Sequence, residues 1–282
     1  MRGYRSRILI LMSLLIFLNA YLLNYVEEKV RQINCFPYEL AKEHFREQKL
    51  DKELSEHFFE ASEGDLDTFC ELLTMYYASD YACTDVEALK EDIAFVKEYQ
   101  LEKFTSIKDD LLKIYQSAEI FPVGTITNLS DATVNYSDSW NQARTYGGDR
   151  THEGCDVMAS FNQRGAYPIY SVCDGVIENI GWLPLGGYRV FVKGEQGVYF
   201  YYAHLSEYAE DFSIGDEVSA GTLLGFMGDS GYGEEGTVGK FDVHLHFGIY
   251  MKDGKGEEYS VNSYPFLCYL WNHGENRLWQ SD

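Results

Sequence analysis

The spacing of apolar and polar positions changes character twice along the chain. Residues 8–26 carry no charge over 19 positions, close to the length of a helix that spans a bilayer. From residue 27 to about 117, apolar side chains recur at helical spacing among many Glu, Lys and Leu with few glycines, and the segment reads as four or five helices. Phe69, Leu72, Leu73, Tyr76 and Tyr77 form one such stripe, opened by Asp65 or Asp67. Thr84-Asp85-Val86-Glu87 has the form of a capping box, opening a helix that runs to about Tyr99. At Phe121-Pro122-Val123-Gly124 the pattern turns to strands and turns. Residues 169–177, 188–193, 198–204, 218–224 and 244–251 read as strands, the second and third forming a hairpin about Gly194-Glu195-Gln196-Gly197. The expected class is α+β: a transmembrane helix, a small all-helical region, then a mostly antiparallel sheet.

Charge fixes the topology of the first segment. Arg2, Arg5 and Arg7 precede the apolar run and Glu27-Glu28 follow it, which keeps the N-terminus cytoplasmic and sends the rest outside. The run is longer than the core of a signal peptide, and Leu18-Asn19-Ala20 is a poor cleavage site. Residues 1–26 are therefore expected to stay as an anchor, with 27–117 as an extracytoplasmic helical spacer. A net charge of −22 disfavours nucleic acid or an anionic membrane surface as the natural partner. The six cysteines would face an oxidising exterior, and Cys70 with Cys83 is the local pairing candidate.

Candidate chemistry gathers on Val243-His244-Leu245-His246-Phe247. In a strand the two imidazoles share a face, roughly 7 Å apart at the base, and both can serve one metal pocket. Arg150-Thr151-His152-Glu153-Gly154-Cys155-Asp156 adds a histidine and a carboxylate four apart. Gly147, Gly148 and Gly154 favour an extended form. A helical zincin-like motif with Glu153 as base needs a second histidine where Asp156 stands. Cys155 is turned to the opposite face and is not counted as a ligand. Tyr202-Ala203-His204-Leu205-Ser206 supplies a further histidine at the end of an aromatic strand. A cupin-like reading expects a glutamate shortly after the His-x-His pair, and none follows.

Together with Asp174-Gly175-Val176 and Gly215-Asp216-Glu217-Val218, these motifs occur in an order that resembles the lysostaphin and LytM type zinc endopeptidases of bacterial cell walls, over roughly residues 120–260. The resemblance implies a sheet domain over 118–265 with a C-terminal extension over 266–282. It also implies one zinc ion held by His152, Asp156 and His246, His204 and His244 as catalytic groups beside the open coordination position, and a peptidoglycan peptide as substrate. A different class of function, a peptidoglycan-binding or morphogenetic scaffold without hydrolysis, expects that constellation to be broken. Two departures stand out. A longer loop from Gly231 to Asp242 precedes the His-x-His, and Gly248 stands where relatives often have Glu. The shape of the groove therefore does not follow from the resemblance. Tyr201, Tyr202 and Trp182 are the candidate groove aromatics.

Overall fold

The computed structural model describes residues 2–126, 132–145 and 148–274; Gly147 and residues 275–282 of the expected C-terminal extension lie outside them. The charge-free segment lies in α1 (Arg2–Asn34), which continues past the apolar run. Among the described residues its large apolar side chains are exposed, Phe17 at 74%, and its length and composition suit a bilayer crossing. Five helices follow: α2 (Tyr38–Glu47), α3 (Lys52–Ala61), α4 (Leu66–Ala78), α5 (Val86–Tyr99) and α6 (Leu101–Gln116). The α4 helix is the centre of this group, with Phe69, Leu72 and Leu73 fully buried and packing on α2, α3, α5 and α6. Asp65 is its cap, accepting from the Thr68 amide at 2.9 Å. The cap of α5 is Asp85 rather than Thr84: the Asp85 carboxylate accepts from the Ala88 amide at 3.0 Å, which shifts the helix start by one residue and leaves the hydroxyl outside it.

The remainder forms β1 (Val134–Asn135), β2 (Ala143–Arg144), β3 (Arg150–Thr151), β4 (Cys155–Ala159), β5 (Pro168–Tyr170), β6 (Gly175–Leu183), β7 (Gly187–Gly194), β8 (Tyr199–Tyr208), β9 (Glu217–Val218), β10 (Leu223–Met227), β11 (His244–Lys252), β12 (Glu258–Val261) and α7 (Tyr264–His273). Strands β2 and β3 pair with each other; the other ten make one sheet whose main path is β1-β4-β11-β8-β7-β6-β9, and every pairing is antiparallel. The hairpin is where the pattern placed it, as β7 and β8. Two expected strands are each broken in two. Residues 169–177 turn at Ser171, whose hydroxyl donates to the Cys173 carbonyl at 2.8 Å. Residues 218–224 turn at Ser219, whose amide donates to Thr222 Oγ1 at 3.0 Å. The breaks match: β5 pairs β10 and β6 pairs β9, so both chain segments turn a corner of the sheet together.

Helices and sheet share one apolar interior. The α7 helix joins them: Phe266 stacks on Phe247 of β11 at 6.3 Å between ring centres and meets Tyr115 of α6 edge-on at 5.8 Å. Tyr269 faces Phe59, Phe69 and Tyr115. The candidate pair Cys70 and Cys83 is not joined. All six thiols are free, because Cys70 is buried inside α4 while Cys83 lies on the loop before α5, its thiol near the Asp85 carbonyl.

Candidate metal centre

Strand β11 lies between β4 and β8, and its register sets the site. His246 is opposite Asp156 of β4 on one side and Ala203 of β8 on the other. His152 is held in the extended segment just before β4, as the glycines suggested, and the chain there is not helical. Its Nε2 lies 2.9 Å from Asp156 Oδ1 and 2.9 Å from His246 Nδ1, and His246 Nδ1 lies 3.0 Å from the same oxygen. His152 Nδ1 is 3.0 Å from the Ser139 carbonyl. A carbonyl only accepts, so Nδ1 holds the hydrogen and the Nε2 lone pair faces the other two groups. Lone pairs and a carboxylate at this separation repel unless a proton or a cation lies among them. Two imidazoles and one carboxylate are also the donor set of a three-ligand zinc site. His152, Asp156 and His246 are thus a cluster that can hold a metal ion.

Ionisation suits that role. Burial pushes the Asp156 carboxyl up, but the imidazoles of His152, His246 and His244 around it outweigh that and hold the group far below the usual carboxylate range. Burial holds His246 below the ordinary histidine value, that is, neutral. Asp156 Oδ2 accepts from Arg144 Nη2 at 2.9 Å, which leaves Oδ1 directed at the two imidazoles. Gly154 gives the His246 ring its space: a Cβ there would lie 2.8 Å from two ring atoms and 2.5 Å from the Phe247 carbonyl oxygen.

His204 and His244 complete the group. Each is fixed at Nδ1 by a backbone carbonyl, Ser230 at 2.8 Å and Asp242 at 2.7 Å, so each holds a hydrogen at Nδ1 and leaves Nε2 for the site. Their rings lie 4.7 Å apart between centres, and His244 Nε2 is 3.8 Å from Asp156 Oδ1. Burial first, then competition with the neighbouring imidazoles of His244 and His246, keeps His204 well below its ordinary value. His204 does not end its strand as expected; β8 runs on to Tyr208. It sits at φ 63 where the register slips by one residue, Tyr188 opposing Leu205 and Val190 opposing Tyr202. The bulge re-aims the imidazole into the site.

The five residues line a cavity of about 480 Å³ together with Arg144, Arg150, Tyr201, Tyr232 and Tyr250. Of the expected groove aromatics, Tyr201 lines it, and burial pushes its hydroxyl up to about 12. Tyr202 is on the opposite face of the strand, buried, with its hydroxyl accepting from the Val172 amide at 2.9 Å. Trp182 instead holds the long loop, donating to the Gly233 carbonyl at 3.3 Å. That loop sets Phe241 against His204 and His244, with ring centres 4.6 and 5.0 Å away, and Tyr232 packs on Phe241 at 4.8 Å. Arg144, the Ser139 carbonyl and Phe241 were not found from sequence. Only Gly154 had a signal, inside the motif itself.

Residues 150–259 match the model of peptidase family M23. The solved structure of lytM from Ruminococcus gnavus, described as a candidate glycyl-glycine endopeptidase, is 38% identical and superposes with a TM-score of 0.68 over 82% of this chain and 91% of its own. The chain belongs to peptidase family M23. Within the family, the L-Ala–D-Glu endopeptidase of Bacillus subtilis is 35% identical over 176 residues, 60% of this chain and 51% of that protein. Lysostaphin of Staphylococcus simulans is 29% identical over 133 residues, 43% of this chain and 24% of its own. The chain thus spans about half the length of the Bacillus relative and about a quarter of lysostaphin. The M23 match covers all five residues that converge on the cavity.

Proposed function

We propose that this M23 chain is a membrane-anchored, extracytoplasmic zinc metalloendopeptidase that cuts peptide stems or cross-bridges of peptidoglycan. The observation that carries the reading is the convergence of His152 Nε2, Asp156 Oδ1 and His246 Nδ1 within 3.0 Å at the floor of a cavity that two further imidazoles also line. His152, Asp156 and His246 would hold the ion. When bound, zinc supplies an acidified water and a Lewis acid for the scissile carbonyl. The chain's own groups do the rest. Between them, His204 and His244 take the proton of the attacking water at Nε2, use it to hydrogen-bond the oxygen that gains charge, and pass it on to the leaving amine. Phe241 walls off both rings from solvent on the loop side, and Arg144 keeps Asp156 oriented.

Residues 1–26 serve as the anchor and 27–117 hold the peptidase unit, 118–265, next to the outer membrane face; the unbroken α1 supports this arrangement. The test uses the full chain, incubated with cell-wall sacculi. New amino termini should appear, vanish on chelation and return with zinc; their absence with the zinc-loaded chain refutes the proposal. The relatives' names specify two bonds, L-Ala–D-Glu and glycyl-glycine. Mass analysis of fragments from defined muropeptides assigns the bond, because the two cuts leave different terminal residues.

A further inference from the structure

Besides its contacts with Asp156 and His246, His152 is held by one loop, residues 136–142. The Ser139 carbonyl accepts from its Nδ1 at 3.0 Å, the Gln142 carbonyl accepts from its amide at 2.9 Å, and the Asn141 amide donates to its carbonyl at 2.7 Å. Among the described residues, the far side of this loop is tied to the helical region through one side chain. Asn262, 1% exposed at the end of β12, donates from Nδ2 to both oxygens of Asp138 at 3.1 Å and to the Glu47 carbonyl of α2 at 2.8 Å. Its amide donates to the Arg46 carbonyl at 2.9 Å, and Arg46 Nε returns to the Ser260 carbonyl at 3.2 Å. The last carbonyls of α2, the Asp138 carboxylate and the end of β12 therefore meet at one amide group.

Little else fastens this junction. Gln48, the left-handed residue that ends α2, has both side-chain polar atoms buried without a partner, as do Ser139 at Oγ and Trp140 at Nε1. These lie immediately beside Glu47 and Asp138 in sequence, and Trp140 and Asn141 line a crevice with Glu43, Arg46 and Glu47. A buried polar group that finds no partner is unfavourable, so the loop's position against α2 depends on the Asn262 bonds.

We propose that Asn262 is a positioning residue: it fastens the carboxyl end of α2 to Asp138, keeps the Ser139 carbonyl on His152, and so makes metal affinity depend on the helical region. The proposal rests on reading His152, Asp156 and His246 as the zinc site. Loss of a group that orients a metal-binding histidine typically weakens binding about 10–100-fold.

The test is the Kd for zinc of the full chain, measured by competition with a chromophoric chelator, alongside its Tm without metal. Asn262→Ala should raise the Kd about tenfold or more. Asp138→Asn, which keeps the volume and one acceptor oxygen, should raise it by less and serves if the first variant does not fold. Asn272→Ala is the control. It removes a different helix-to-helix tie, the 2.8 Å bond to Glu56, and should leave the Kd unchanged whatever it does to Tm. A wild-type Kd in folded Asn262→Ala or Asp138→Asn, or an equal rise in Asn272→Ala, overturns the linkage while leaving the zinc reading intact. If the unaltered chain binds no zinc, the zinc reading fails and this one with it.

Discussion

Replacing Gly154 with alanine adds a single methyl group at the most crowded point of the site. Gly154 is not held at a positive φ, so the backbone conformation itself accepts alanine and the whole effect is steric. The new Cβ would stand 2.8 Å from His246 Cε1 and Nε2 and 2.5 Å from the Phe247 oxygen, where ordinary contact begins at 3.4 Å. Relief therefore takes about 0.6 Å of movement at the imidazole and more at the carbonyl. The carbonyl has no room to give, because Phe247 is paired with Cys155 on β4 and Tyr202 on β8. The backbone at residue 154 must then shift away from the carbonyl, and the ring must give way too, by about three times the ~0.2 Å tolerance of a metal–ligand bond. Expected is a rise in the zinc Kd of about 100-fold or more, roughly 2.8 kcal/mol. Stability of the metal-free chain should fall by about 1–3 kcal/mol from overpacking. Chelator competition reads the first and guanidinium unfolding the second. A Gly154→Ala chain that binds zinc as tightly as the unaltered one refutes the proposed placement of the metal.

Three further outcomes follow from the same geometry. His204→Ala should lower kcat about 10²–10⁴-fold with the zinc Kd nearly unchanged; a matching loss of zinc would make His204 a ligand instead. Phe266→Ala removes a fully buried ring that touches Phe200, Phe247 and Tyr115 and should cost about 3–5 kcal/mol, read in guanidinium as one shifted transition; two separate transitions would contradict the shared interior. A chain lacking residues 1–26 should fractionate with the soluble phase while the full chain stays with lipid vesicles, and full-length chain recovered as a vesicle-free species would argue against the anchor.

What the sequence disclosed was local in origin. His244 and His246 share a cavity because alternation along a strand is a property of neighbouring residues, and the glycines around His152 told against a helix without reference to any partner. Tertiary ties were hidden. Arg144 reaches Asp156 across 12 positions, and Asn262 reaches Asp138 across 124; no short-range pattern encodes either. The left-handed turn at His204 was equally silent, since histidine carries no preference strong enough to announce a bulge. The breaks near Ser171 and Ser219 were missed because the apolar pattern runs on through both, while pairing with two different partner strands decides where the chain bends. Asp85 took the cap from Thr84 by one residue, within the ordinary scatter of helix ends.

The aromatic seam made by α7 has an evolutionary consequence. A lobe that stands apart on a linker can be exchanged by recombination at small cost to either side. Here Phe59, Phe69 and Tyr115 from one half meet Tyr269 and Phe266 from the other, so a crossover between them would leave two bare aromatic faces. The two halves are expected to be inherited as a pair and to change together, compensating substitutions at these five positions tracking one another across descendants.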